Sequence, residues 1–232
     1  MRLFIKIMLS LLACCIAVVM IVKLMPKERL LLSAVNERDM NMVDWMLKLG
    51  ADPNAHTDSA YTPLNLAVRN GDINMIRKLL AHGASPNEQA NYGSGEKILV
   101  GNLSIAINYV DDPVPVIQLL IEAGINVADD PYALKDAIER GQIKAVELLI
   151  RHGADINGGL QFAIMYDKLD IVRLMLESGA DPNQGVMLAK MTYNQEALLM
   201  LEEAGATVTS PPREQTHPED YTTVNGAKIR LH

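Results

Sequence analysis

The chain is 232 residues long and 49% hydrophobic but only 4% aromatic, and its 28 carboxylates against 21 lysines and arginines leave a formal charge of −7. That length allows one sizeable domain, with a core that must be filled by Leu, Ile, Val, Met and Ala. Between residues 28 and 210 the imbalance widens to 25 carboxylates against 14 basic side chains, a sign that repels nucleic acid, whose binding needs clustered Lys and Arg. The same charge favours a partner with a basic surface, unless it is only a solvated exterior with no target. Both cysteines, Cys14 and Cys15, lie in an N-terminal apolar stretch. No disulfide therefore staples the rest, and the cysteine count does not choose between compartments.

Residues 1–25 read MRLFIKIMLSLLACCIAVVMIVKLM, with a charge-free run over 7–22 flanked by Lys6 and Lys23. Sixteen helical residues reach about 24 Å, short of a ~30 Å hydrocarbon core. Residues 3–5 and 24–25 complete the span if both lysines snorkel outward. No small-x-small cleavage site follows, so the segment is expected to be an uncleaved signal anchor, a transmembrane helix through residues 3–25. Leu11-Leu12-Ala13-Cys14 also resembles a bacterial lipobox with Cys14 as the lipidated residue, although residues 16–22 would then leave an apolar run behind it. A cleaved signal peptide is the third reading. Basic residues on the two sides nearly balance, but a short basic head before a long acidic domain looks like an export signal. The expectation is a single-pass protein of a bacterial inner membrane with its main domain in the periplasm.

Leu31, Ala34 and Val35, then Val43, Met46 and Leu47, fall at helical spacing and are closed by Gly50. Trp45 is expected on the outer helix, covering the end of the core. The next unit is complete: TPLNLAVRNGDINMIRKLLAHGASPN, residues 62–87. Pro63 suits a first helical turn, Asp72 opens a second apolar pattern of Ile73, Ile76, Leu79 and Leu80, and Gly83 supplies a left-handed stop. A short helix, a tight turn, an antiparallel helix and an extended connector make one unit. Its string TPLNLA…G…LL…GA…N resembles the ankyrin repeat, with Asn65 standing where that family usually has histidine.

The markers recur as Ala34/Gly50, Ala67/Gly83, Ala106/Gly124, Ala137/Gly153, Ala163/Gly179 and Ala189/Gly205, in five cases sixteen residues apart and in the third eighteen. Six units in register imply an all-α solenoid over residues 27–209, since one unit cannot bury its apolar face alone. Residues 88–101 form the longest insertion, and Asn91-Tyr92-Gly93-Ser94-Gly95 at its middle predicts a flexible projecting loop. It is not a phosphate loop, because no Gly-Lys-Ser/Thr follows. Asp111-Asp112-Pro113-Val114-Pro115 predicts a lengthened turn before a helix over 116–123. After Gly124 the glycine spacing shrinks to 29, 26 and 26 residues, from 33 and 41 earlier. The β-hairpin finger of a full ankyrin unit is therefore expected to be missing from repeats four to six, and Gly158-Gly159 to lead directly into the helix at Leu160. Residues 210–232 lose all periodicity and are expected to be a mobile tail or a cap strand over repeat six.

Nothing in the sequence predicts catalysis, a cofactor or a metal. Asp52, Asp155 and Asp181 recur in a GAD-x-N turn, where side chains bond nearby backbone N–H groups. His82 and His152 share one repeat position, so the solenoid sets them apart rather than together. By resemblance to the family, the stripe before each inner turn faces the concave surface. It holds Asn36, Glu37, Arg69, Asn70, Asn108, Tyr109, Glu139, Arg140, Met165 and Tyr166, then Met191, Thr192 and Tyr193. Exposed tyrosine and arginine are the types that most often anchor an interface, with the alternative that some of these rings only cover neighbouring repeats. The expected function is non-enzymatic binding of a protein partner, with no small-molecule substrate. An anchor joined to ankyrin units resembles a periplasmic inhibitor or immunity protein; a scaffold of an envelope complex would use the same face.

Overall fold

Six inner helices alternate with six outer ones across the residues that the computed structural model describes, namely 26–56, 61–91 and 99–207 with the backbone of 221–224 and 227–230. In chain order they are α1 (Lys27–Asn36), α2 (Met40–Lys48), α3 (Pro63–Arg69), α4 (Ile73–Ala81), α5 (Asn102–Tyr109), α6 (Val114–Glu122), α7 (Pro131–Glu139), α8 (Ile143–Arg151), α9 (Ile156–Met165), α10 (Leu169–Glu177), α11 (Asn183–Met191) and α12 (Gln195–Glu203). The expected N-terminal anchor lies outside the described residues, among which no helix is long and apolar enough to cross a membrane.

Local chemistry sets the helix starts. Thr62 and Asn65 form a capping box at α3, with Pro63 in the first turn where no N–H is needed. The carboxylates of Asp39 and Asp72 accept backbone N–H groups at the starts of α2 and α4. Each outer helix closes on a glycine at positive φ, from +78° at Gly50 to +96° at Gly205. The turn inside every repeat except the third, where Asp111-Asp112-Pro113 lengthens it, also takes a left-handed residue. Gly71 and Gly141 supply it in two repeats, but Arg38, Asp167 and Tyr193 carry it elsewhere at φ between 53° and 59°.

Packing follows the repeat. Every marker alanine of the inner helices is at most 3% exposed, because a small side chain lets successive inner helices approach closely. Leu31, Leu64, Leu103, Ile138, Leu160 and their neighbours fill the space between the two helix layers in one continuous core. Asparagines of the connectors then stitch each unit to the next. Asn54 Oδ1 accepts from Ser85 N at 2.7 Å, Asn87 from Asn126 N, Asn157 from Asp181 N and Asn183 from Thr207 N, the last three all at 2.9 Å. The aspartates beside them take the expected structural role, each accepting the N–H two residues on.

Several boundaries differ from the sequence expectation. Helix α6 starts at Val114 rather than at 116, because Pro115 fits a first turn. Helix α9 starts at Ile156, so Gly158 and Gly159 lie inside its first turns; a Cβ on Gly159 would sit 2.6 Å from Met175 Cε and 2.8 Å from Leu134 Cδ2. The insertion is framed by two short antiparallel strands, β1 (Ala90–Asn91) and β2 (Leu99–Val100), while its glycine-rich centre over 92–98 is outside the described residues. No strand occurs between residues 101 and 207, so the later repeats are helix pairs without a finger. Beyond them β3 (Tyr221–Val224) pairs with β4 (Ala227–Arg230) in an antiparallel hairpin, two strands where a cap strand was one of the two expectations.

Candidate protein-binding face

The C-terminal ends of the inner helices carry the predicted stripe, and the structure brings part of it together. Arg69, the last residue of α3, is exposed, and its guanidinium lies 5.4 Å over the Tyr61 ring and 5.1 Å over the Tyr109 ring. Both contacts are cation–π in geometry, joining repeats two and three through one exposed arginine. Tyr109 keeps half its surface open. Asn108 is half-buried and committed internally: Nδ2 donates to Asp136 Oδ2 at 2.6 Å and to Ser104 O at 2.9 Å, and Oδ1 accepts from Arg140 Nε at 3.0 Å. It orients Arg140 rather than presenting itself.

Farther along, Glu139 accepts from Lys135 Nζ at 3.2 Å, and that ammonium lies 5.6 Å over the Tyr166 ring. Tyr166 and Glu139 together raise the Lys135 pKa above its ordinary value. Tyr166 is half-buried and stacks on Phe162 at 6.5 Å, so this ring partly covers its own repeat. Met165 and Met191 follow as exposed apolar side chains, whereas the Thr192 hydroxyl turns back to donate to Leu188 O at 2.9 Å. At the near end, Asn36 and Glu37 are exposed, Glu37 accepting from Ser33 Oγ at 2.9 Å, and Arg38 Nη2 reaches Asn70 O at 3.2 Å. The face thus runs from cation–aromatic groups in the middle repeats to bare methionines in the last two.

One row of residues was missed. Two positions before each marker alanine from the second repeat on stand Asn65, Ser104, Lys135, Gln161 and Met187. The first two are wholly buried, Lys135 is intermediate, Gln161 is exposed and Met187 is 72% exposed. The cause lies in the connectors. Asn65 donates to Glu88 O at 2.9 Å and Asn102 Oδ1 at 3.0 Å, and Ser104 is held by Asp130, so long connectors roof the early repeats. Short connectors leave the inner helices of repeats four to six open along their length. The shrinking glycine spacing carried this signal, and it also exposes Tyr132 and the edge of Phe162.

The Asp130 carboxylate is nearly enclosed. It accepts from Ser104 N at 2.9 Å and Ser104 Oγ at 2.7 Å, capping α5 from the following repeat. Burial raises its pKa against the lowering effect of those Ser104 bonds. Among the described residues no group of three or more His, Cys, Asp or Glu side chains is placed to hold a metal ion.

A repeated helix–turn–helix unit, stitched by connector asparagines and presenting an open inner face, defines a repeat-solenoid class of binding scaffold. The profile for ankyrin repeats (3 copies) matches residues 10–94 and 103–185, more than half of the chain, and the chain belongs to the ankyrin repeat family. Solved structures agree on the fold. The ankyrin repeat domain of human ASB11 is 21% identical with a TM-score of 0.58, covering 78% of this chain and 85% of its own. That of Bcl-3, described as a member of the IkappaB family, is 22% identical at 0.63, covering 77% and 86%. An ankyrin repeat domain from Acinetobacter baumannii AYE is 24% identical at 0.63, covering 76% and 98%. No curated protein sequence matches the chain. Ankyrin repeat domains generally mediate protein–protein interaction, and they are typically non-enzymatic.

Proposed function

We propose that this protein is a membrane-tethered binding module that holds one partner protein against its inner-helix face and performs no chemistry of its own. The observation that carries the reading is the exposed Arg69 between Tyr61 and Tyr109, continued by Lys135 over Tyr166. Arginine and tyrosine with little rotamer freedom left make strong anchors, because less entropy is lost when a partner closes on them. Residues 3–25 are the tether, and the acidic domain is exported to the periplasm, where a one-to-one complex silences a toxic or lytic partner. A scaffold would instead join two or more partners without silencing either.

The test uses the full chain and the protein that co-purifies with it. Tyr109→Ala/Tyr166→Ala is expected to weaken that complex by a factor on the order of 10³, two anchors at about 2 kcal/mol each. Lys144→Ala/Arg173→Ala, exposed on the outer helices, is expected to leave it unchanged. Loss with the outer pair and not the tyrosine pair refutes the assignment. A reporter active only outside the cytoplasm, fused after His232, reports the topology, and a silent fusion reverses it.

A further inference from the structure

The missing fingers leave a cleft of about 500 Å³ between repeats four and five, at the N-terminal ends of α7 and α9. That volume falls within the usual range for small-ligand pockets. Val127, Leu134 and Phe162 form its apolar wall, and the half-exposed Tyr132 and the exposed Asp155 both belong to its lining. The charged groups of the lining are not equally satisfied. Lys135, the cation of the lining, is already matched by Glu139 at 3.2 Å and Asp136 at 3.8 Å. Asp155 caps α9 through Oδ1, which accepts Asn157 N at 3.2 Å, and no bond among the described residues engages its other oxygen. Gly158 keeps room for that carboxylate, since a Cβ there would meet it. Asp129 is exposed just before the cleft, and Asp130 lines it. A cavity with an apolar floor, an open aromatic ring and unmatched negative charge fits an extended side chain that is greasy along its stem and cationic at its tip.

We propose that this cleft receives an arginine side chain of the partner protein. Its methylenes lie on Val127, Leu134 and Phe162, its guanidinium donates to Asp155, and its planar face covers the Tyr132 ring. Arginine suits the site better than lysine, because the flat delocalised cation both stacks and forks its donors. The inference rests on the reading of the inner-helix surface as a binding face and narrows the partner to one that presents a basic loop.

The probe is N-acetyl-arginine methylamide, titrated into the ¹⁵N-labelled full chain in non-ionic detergent, with N-acetyl-citrulline methylamide as the uncharged isostere. The arginine probe is expected to move the amides of Gly153, Ala154, Gly158 and Gly159 and to saturate in the millimolar range. Citrulline should bind about tenfold more weakly, the loss of one charge-assisted contact. Asp155→Asn keeps an oxygen to cap α9 and should bring the arginine probe down to the citrulline level; Tyr132→Ala should weaken it without altering the other resonances. Equal response to both probes, shifts confined to other repeats, full binding by Asp155→Asn, or no response at all each overturn the proposal. Dependence of the partner on Tyr109 and Tyr166 is read in a separate measurement, so the binding face can survive the loss of this pocket.

Discussion

Replacing Gly101 with alanine should destabilise the protein although its backbone, at φ −75° and ψ 164°, is one that any residue adopts. The reason is Asp130. An alanine Cβ at position 101 would lie 2.5 Å from Asp130 Cγ and 2.9 Å from Asp130 Cβ, so the carboxylate must leave its place. Leaving breaks its bonds to Ser104 N and Oγ, 2.9 and 2.7 Å long, and strands buried donors at the start of α5. Each stranded group costs about 1–3 kcal/mol, and returning the carboxylate to water recovers part of that, so Asp130→Ala alone should cost about 2 kcal/mol. Gly101→Ala should cost about 3 kcal/mol, the same loss plus the weaker N-cap that alanine makes. In the Asp130→Ala background only the 2.9 Å approach of the two Cβ atoms remains, and Gly101→Ala should then cost about 1 kcal/mol. A double-mutant cycle by urea denaturation, followed by helical circular dichroism, reads this coupling of about 2 kcal/mol. If the two costs simply add, the glycine is needed for its backbone or cap, and the account of Asp130 as a cap reaching back across repeats is wrong.

Two further outcomes follow from single side chains. Tyr193 holds a left-handed turn at φ 54° while 93% of its surface is open, so its ring returns nothing to the fold. Tyr193→Gly should stabilise the protein by about 1 kcal/mol, seen as a higher urea midpoint, and a lower midpoint would mean that the ring makes a contact after all. Asp44 is held at a pKa of about 2 by Lys48 first and Lys78 second, with Lys78 Nζ at 2.9 Å joining repeats one and two. A depressed carboxylate contributes stability that is present above its ordinary range and lost as pH falls toward that value. The melting temperature of the wild type should therefore fall more steeply between about pH 5 and pH 2 than that of Asp44→Asn, and the difference should shrink in high salt. Parallel curves would show that these ions do not pair in solution.

What the sequence determined by itself was most of what is set within a few residues. Helix starts at Thr62-Pro63 and Asp72, stops at the six closing glycines and the alanine marker of each inner helix are local preferences, repeated until chance is excluded. Connector length was legible too, as glycine spacing, and with it the absence of fingers from the later repeats. The connector asparagines recur with the repeat, but their bonds from one repeat to the next are visible only in the structure. The partners of other side chains were not legible either. Asp130 caps a helix 26 residues earlier, Arg69 is flanked by rings from either side of it in the chain, and Asn108 is spent on holding Arg140. Exposure was equally undecided: Asn65 and Met187 occupy one repeat position, yet the first is buried and the second open. Periodicity says which way a side chain points from its own helix. Whether a neighbouring connector covers it, or a neighbouring carboxylate claims it, depends on where the next repeat is stacked, and only the tertiary structure decides that.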